Sequence, residues 1–234
     1  MAWVEWAAGR AVVRDVAWGA DDTAILAALA DADGAGIDCP LGWPDAFVDF
    51  VVAHQRGAVA VPRGIADRGW RRFLTMRVTD QVAREQTGLI PLSVSADRIG
   101  HVAMRCAWLL AQLARQGHGA ARDGSGKITE VYPAASLKVW GLPYRGYKRP
   151  GDSWTLGKLV DELRSAAPWL DLGDADILCR SRHDIIDAVI AALTARAAGL
   201  DLTLRPRTPA EASAARTEGW IAIPLPDSRL GQLP

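Results

Sequence analysis

The sequence predicts an α/β fold, and three observations carry that reading. The chain opens on a hairpin of alternating apolar and polar residues. Two short segments, 36–38 and 128–132, have strand character and stop beside a proline. Around them run stretches whose apolar residues recur at helical spacing.

Element by element, "MAWVEWAAGRAVVRDV" predicts strands over Ala2–Trp6 and Arg10–Val16, turning on "AAGR". In "DDTAILAALADADG", Asp22 is placed to cap a short helix and Gly34 to end it. "GAGIDCPLGWP" is then a strand that halts at Pro40. Asp38 falls at its carboxyl end, where open α/β sheets place ligands. "PDAFVDFVVAHQRG" reads as a helix over 44–55, with Pro44 at its start and Gly57 past its end. "SADRIGHVAMRCAWLLAQLARQG" reads as a longer helix near 96–117, and an irregular Arg-rich stretch separates the two. "GKITEVYP" is a second internal strand, "AASLKVWG" a short helix and "LPYRGYKRPGDS" a loop dense in Gly and Pro. Helices follow over "WTLGKLVDELRSAAPWL" and 183–199, and "EGWIAIP" reads as an edge strand. The expected organisation is a single domain over 1–234, with 44–126 as a helical insertion between the strands at 36–38 and 128–132.

Composition bounds the function. The chain has 234 residues, half of them apolar, and Lys+Arg balances Asp+Glu at 27 each, so no global positive field draws it to nucleic acid or an anionic membrane. Any such binding must come from local patches. Cys39, Cys106 and Cys179 match no Cys-x-x-Cys spacing, so a reduced, cytoplasmic setting is expected. No secretory leader pattern and no run of about 18 apolar residues is legible. Most of the ten Trp are expected to be core or half-buried anchors.

The chemistry lies in four carboxylates. Asp184 and Asp187 open an otherwise apolar helix three residues apart, on one face, where like charges repel. One carboxylate is enough for an N-cap; a second at that spacing asks for another reason. Asp38 and Glu130 each sit close to a strand-ending proline. If those strands are parallel neighbours, all four acids gather at one sheet edge, an unfavourable cluster unless a cation joins it. A divalent ion, Mg²⁺ or Mn²⁺, held by Asp38, Glu130, Asp184 and Asp187 relieves the repulsion. Such ions suit phosphodiester hydrolysis. Taken singly, Asp184 could be a cap, Asp38 a turn residue and Glu130 an exposed strand position; Asp187 has no such single reading.

The order strand-Asp, strand-Glu, helix-Asp-x-x-Asp resembles the RNase H-like nuclease superfamily, especially its Holliday-junction resolvase branch. "EVYPAASLK" (130–138) looks like that branch's strand, Glu-x-x-Pro, short helix and Lys. "GIDCPLGWP", "RVTDQVAREQTG", "EVYPAASLKVWG", "HDIIDAVIAALTA" and "EGWIAIP" are similar to blocks of the bacterial domain-of-unknown-function family four-two-nine, described as predicted nucleases of RNase H fold. The resemblance implies an RNase H-like mixed sheet with helices on both faces, catalysis by the four acids, and a nucleic-acid substrate. It also implies a first central strand bearing another Asp. This sequence opens on the hairpin that follows that strand, which makes a start upstream of Met1 the expectation.

Two basic stretches flank the carboxylate strands. Residues 63–84 hold six Arg against two Asp, and 138–149 hold four cations and no acid, interleaved with Trp140, Tyr144 and Tyr147. Cations neutralise phosphates and aromatics stack on bases. Arg77, Lys138, Lys148 and Arg149 are therefore the candidate substrate contacts, with His183 as a candidate proton shuttle. Arg77 could clamp a phosphate or pair with Asp80. A His-Asp phosphohydrolase, suggested by "HD" at 183–184, lacks further histidines after His183. A metal-dependent nuclease is thus the first expectation. A non-catalytic RNase H-like binding module is the alternative.

Overall fold

The computed structural model describes residues 1–60, 68–149 and 153–234. Alternation at the amino end becomes β1 (Ala2–Ala7) and β2 (Arg10–Val16), paired antiparallel. Ala8 and Gly9 turn the hairpin with positive φ of 48° and 76°, the two-residue geometry whose twist matches the strands. Next come α1 (Asp22–Asp31), β3 (Ala35–Ile37) and α2 (Asp45–Gln55). The cap of α1 is Asp21, not Asp22: the Asp21 carboxylate accepts from Ala24 N at 2.8 Å.

The Arg-rich stretch is more regular than its sequence implies. It contains α3 (Arg72–Thr75) and α4 (Val78–Thr87), the latter closed by Gly88 at φ 68°. Helix α5 (Gly100–Arg115) starts inside the expected 96–117, because Ser93 N bonds the Asp97 carboxylate at 2.7 Å and holds a turn first. Then come β4 (Ile128–Val131), α6 (Pro133–Val139) and α7 (Ser153–Ala166). A two-residue β5 (Leu170–Asp171) and α8 (Ala175–Ser181), neither foreseen, precede α9 (His183–Gly199). The chain closes through α10 (Pro209–Glu218) and β6 (Ile221–Ala222).

The molecule is α/β, with ten helices among the described residues. Its strands form two three-stranded sheets. In one, β2 lies between antiparallel β1 and parallel β5; in the other, β4 lies between β3 and β6, all parallel. Helix α9 packs against β1, β3, β4 and β6 and so joins the two sheets. Its apolar residues Ile185, Ile186, Val189, Ile190 and Leu193 are fully enclosed with residues of α7 and α8 in the larger core. The other face of β3 and β4 presents Ala35, Ile37 and Ile128 to α1 and α5, where Leu29, Cys106 and Leu110 complete a second core. On the α9 side the fit is tight. A Cβ on Gly36 would stand 2.2 Å from the carbonyl oxygen of Ala191.

Candidate functional site

The two strands with candidate acids are parallel neighbours, in the register Ile37↔Glu130. That register decides where the acids point. Side chains alternate along a strand, so Glu130 shares Ile37's face. Asp38, one residue beyond, lies on the Gly36 face with α9.

Glu130 is 2% exposed and its carboxylate is fully engaged. Arg77 Nη2 donates to Glu130 Oε1 at 2.6 Å and Nη1 to Oε2 at 2.8 Å, while Leu41 N donates to Oε2 at 2.9 Å. Arg77, 1% exposed, also bonds both oxygens of Asp80 and the carbonyl of Glu218. The Glu218 carboxylate in turn accepts from Asp45 N and Val78 N, and Thr79 Oγ1 accepts from Ile221 N. The "RVTD" block is therefore the clasp that fastens α4 to β4 and to the chain's closing strand. Burial pushes the Glu130 carboxyl up and Arg77 pulls against it. Two of the expected site residues, Glu130 and Arg77, thus neutralise each other in a buried pair, although the Glu130 charge is still felt at Asp38.

The remaining acids do meet. Lys148, on the loop after α6, places Nζ 2.7 Å from Asp187 Oδ2 and 3.9 Å from Asp38 Oδ2. Tyr147 donates its hydroxyl to Asp187 Oδ1 at 2.8 Å. Burial, and then the Asp187 charge, raise that phenol's pKa, so it stays a donor. Asp187 is 5% exposed, a charge tolerated because a phenol and an ammonium face it. Asp38 sits deep in a cleft but keeps 44% of its side chain in contact with solvent. Crowding by protein, with Asp187 adding repulsion, raises its carboxyl to about 6 despite Lys148. Asp184 lines the same cleft with 62% of its side chain exposed, 3.1 Å from His183 Nδ1.

A family model described as "Protein of unknown function (DUF429)" matches residues 1–212. The chain belongs to that family. No curated protein and no solved structure gives a match.

In this DUF429 chain the other candidate contacts scatter. Lys138 donates to the carbonyl of Thr87 and lies 5.3 Å from the centroid of the Tyr144 ring. Arg149 is exposed beside Lys148. Of the six arginines in 63–84, Arg77 is buried and Arg63 lies outside the described residues. Two partners were missed by sequence reasoning. Tyr147 read as one aromatic among several, and Glu218 only as the first residue of "EGWIAIP" with no role; each finds its partner only in the folded chain.

The donor set suits a hard divalent ion. Carboxylates from β3's end and from α9 already converge on one cation, the Lys148 ammonium, and Asp184 stands at the margin. Among the described residues no three His, Cys, Asp or Glu side chains are close enough to enclose one ion. The two inner ligands would be Asp38 and Asp187. Among the described residues, no helix is long and apolar enough to cross a membrane.

Proposed function

We propose that this chain is a metal-dependent phosphodiesterase acting on DNA or RNA, with Asp38 and Asp187 as the inner ligands of Mg²⁺ or Mn²⁺ and Asp184 as an outer one. The observation that carries the reading is the meeting of Asp38 and Asp187 around a single cationic centre. A bound divalent ion would supply charge neutralisation and an activated water. The chain's own groups do the rest. Tyr147 holds Asp187 in one orientation. Lys148 is free to turn from the acids to an incoming phosphate, and Arg149 stands beside it. His183 Nδ1 stands 3.1 Å from Asp184 Oδ1 at the margin of the site. Glu130 is left out of the ligand set.

The parallel β3–β4 pair and the Asp-x-x-Asp of α9 support an RNase H-like arrangement of the sheet. On that reading a further strand with one more acid belongs between β1 and β3. The locked Glu130–Arg77 pair favours a second reading, a binding module that keeps the scaffold without the chemistry.

The test is cleavage of branched, duplex and single-stranded substrates with Mg²⁺ or Mn²⁺, alongside melting with and without metal. Cleavage by the wild type, and a metal-dependent rise in Tm that Asp187→Asn abolishes, support the nuclease. Binding without cleavage under every metal supports the module. Identical metal responses of wild type and Asp187→Asn overturn the metal site.

A further inference from the structure

The Lys148 ammonium occupies the space between Asp38 and Asp187. Its Nζ lies 2.7 Å from Asp187 Oδ2 and 3.9 Å from Asp38 Oδ2. An ammonium and a divalent ion cannot share that space, and two cations so close repel each other. Asp187 is buried, so without a metal its charge needs a partner, and Lys148 supplies one. Yet 47% of the Lys148 side chain is exposed, and its flexible four-carbon stem can swing outward while the backbone stays in place. That backbone is held separately: Tyr147 donates to Asp187 Oδ1, Arg149 N donates to the Gly146 carbonyl at 3.0 Å, and Gly146 turns with φ 86°. Asp187 therefore keeps the Tyr147 hydroxyl when the ammonium leaves.

The ammonium also has somewhere to go. Tyr132, half-buried between β4 and α6, has a phenol that feels the charges of Lys148, Asp38 and Arg145. Burial raises that phenol's pKa, so it stays a donor. Two cations and a hydroxyl thus flank the acids on this side, a set that suits a phosphate oxygen. On the proposed metal site, we infer that Lys148 is a built-in counterion that competes with the divalent ion for Asp38 and Asp187, and that a phosphodiester frees the metal's place by drawing Lys148 onto itself. Metal and phosphodiester then favour each other's binding.

The charges give the direction. With both carboxyls ionised, Asp38, Asp187 and Lys148 leave a single negative charge. Metal alone breaks the Lys148–Asp187 pair and leaves the ammonium beside a divalent ion. Phosphodiester alone draws Lys148 away and leaves the buried Asp187 charge with a phenol as its partner. Together, the ion neutralises the two carboxylates and the phosphodiester neutralises Lys148. The joint state therefore exceeds the sum of the two single ones, and the coupling is reciprocal.

The probe is Mn²⁺, followed through the loss of its free-ion electron paramagnetic resonance signal, with and without dimethyl phosphate at matched ionic strength. The readout needs no turnover. Dimethyl phosphate should tighten Mn²⁺ binding to the wild type by about tenfold. Lys148→Met keeps an unbranched stem and removes the charge. It should bind Mn²⁺ alone about tenfold more tightly than the wild type, and gain less than about twofold from dimethyl phosphate. Lys148→Arg restores a cation and should return both values towards the wild type. Equal Mn²⁺ affinities of wild type and Lys148→Met overturn the inference and leave the metal site standing. So does full coupling in Lys148→Met, which would make the phosphate a direct ligand of the ion. Absence of coupling in the wild type overturns the inference whatever the variants do. Mn²⁺ binding that is absent, or that survives Asp187→Asn, overturns the metal site and the inference with it.

Discussion

Arg77 and Glu130 face each other through two parallel hydrogen bonds of 2.6 and 2.8 Å, both residues nearly sealed from water. A planar guanidinium matches a carboxylate in this two-pronged way, and an ammonium does not. The pair holds α4 against β4, and Asp80 closes the other side of the same guanidinium.

Arg77→Ala should therefore cost about 3–5 kcal/mol, the usual penalty for leaving a buried charge unpartnered. Here two carboxylates lose their cation at once. Arg77→Lys should recover less than half of the loss. Urea denaturation midpoints check both.

Glu130→Gln separates a structural acid from a ligand. It should lower stability, because Arg77 loses half its charge compensation. It should leave the metal-dependent rise in Tm intact, whereas Asp187→Asn removes that rise. Melting curves of the two variants with and without millimolar Mn²⁺ decide the assignment; loss of the rise in Glu130→Gln would return Glu130 to the metal site.

The Asp38 carboxyl, raised to about 6 by crowding and Asp187, implies a pH signature. Between its ordinary value near 4 and about 6 the folded state holds the proton more tightly than the unfolded chain. Stability from this group therefore falls as pH rises through that window, and the cost is complete above it. Asp38→Asn should match wild type near pH 4 and exceed it at pH 7. With 44% of the side chain exposed, solvent screening limits the gain to less than about 1 kcal/mol. A Tm series from pH 4 to 8 reads it.

Gly36→Ala should destabilise by at least the roughly 1–3 kcal/mol typical of overpacking. The added methyl meets the backbone oxygen of Ala191 at 2.2 Å, and a helix backbone cannot rotate away as a side chain can. Thermal melting gives the size of the loss, and a variant as stable as wild type would refute the close approach.

Replacing both Lys148 and Arg149 by Glu should weaken nucleic-acid binding and flatten its salt dependence, by about one unit of log–log slope for each phosphate that is no longer neutralised. Binding isotherms across a salt series measure it, and an unchanged slope would detach this loop from the substrate.

Much of the architecture was written locally. The hairpin follows from alternation and a turn that needs positive φ, and α9 spans 183–199 because its apolar spacing and closing Gly199 say so. Even the parallel pairing of the two short strands was legible. What local pattern could not decide was the company each carboxylate keeps. Asp38 and Glu130 look alike in sequence, each a strand-end acid near a proline. The register Ile37↔Glu130 sends them to opposite faces, and then Arg77 claims one while Lys148 bridges the other to Asp187. The same limit applies to the sheet. Strand character can be read from a short window, but hydrogen bonds between strands depend on which edges meet. The sequence by itself determined the elements and the supply of charged groups. Only the tertiary structure decided their pairing, because a buried charge is stabilised by whichever opposite charge the fold brings within hydrogen-bond reach, at whatever distance along the chain.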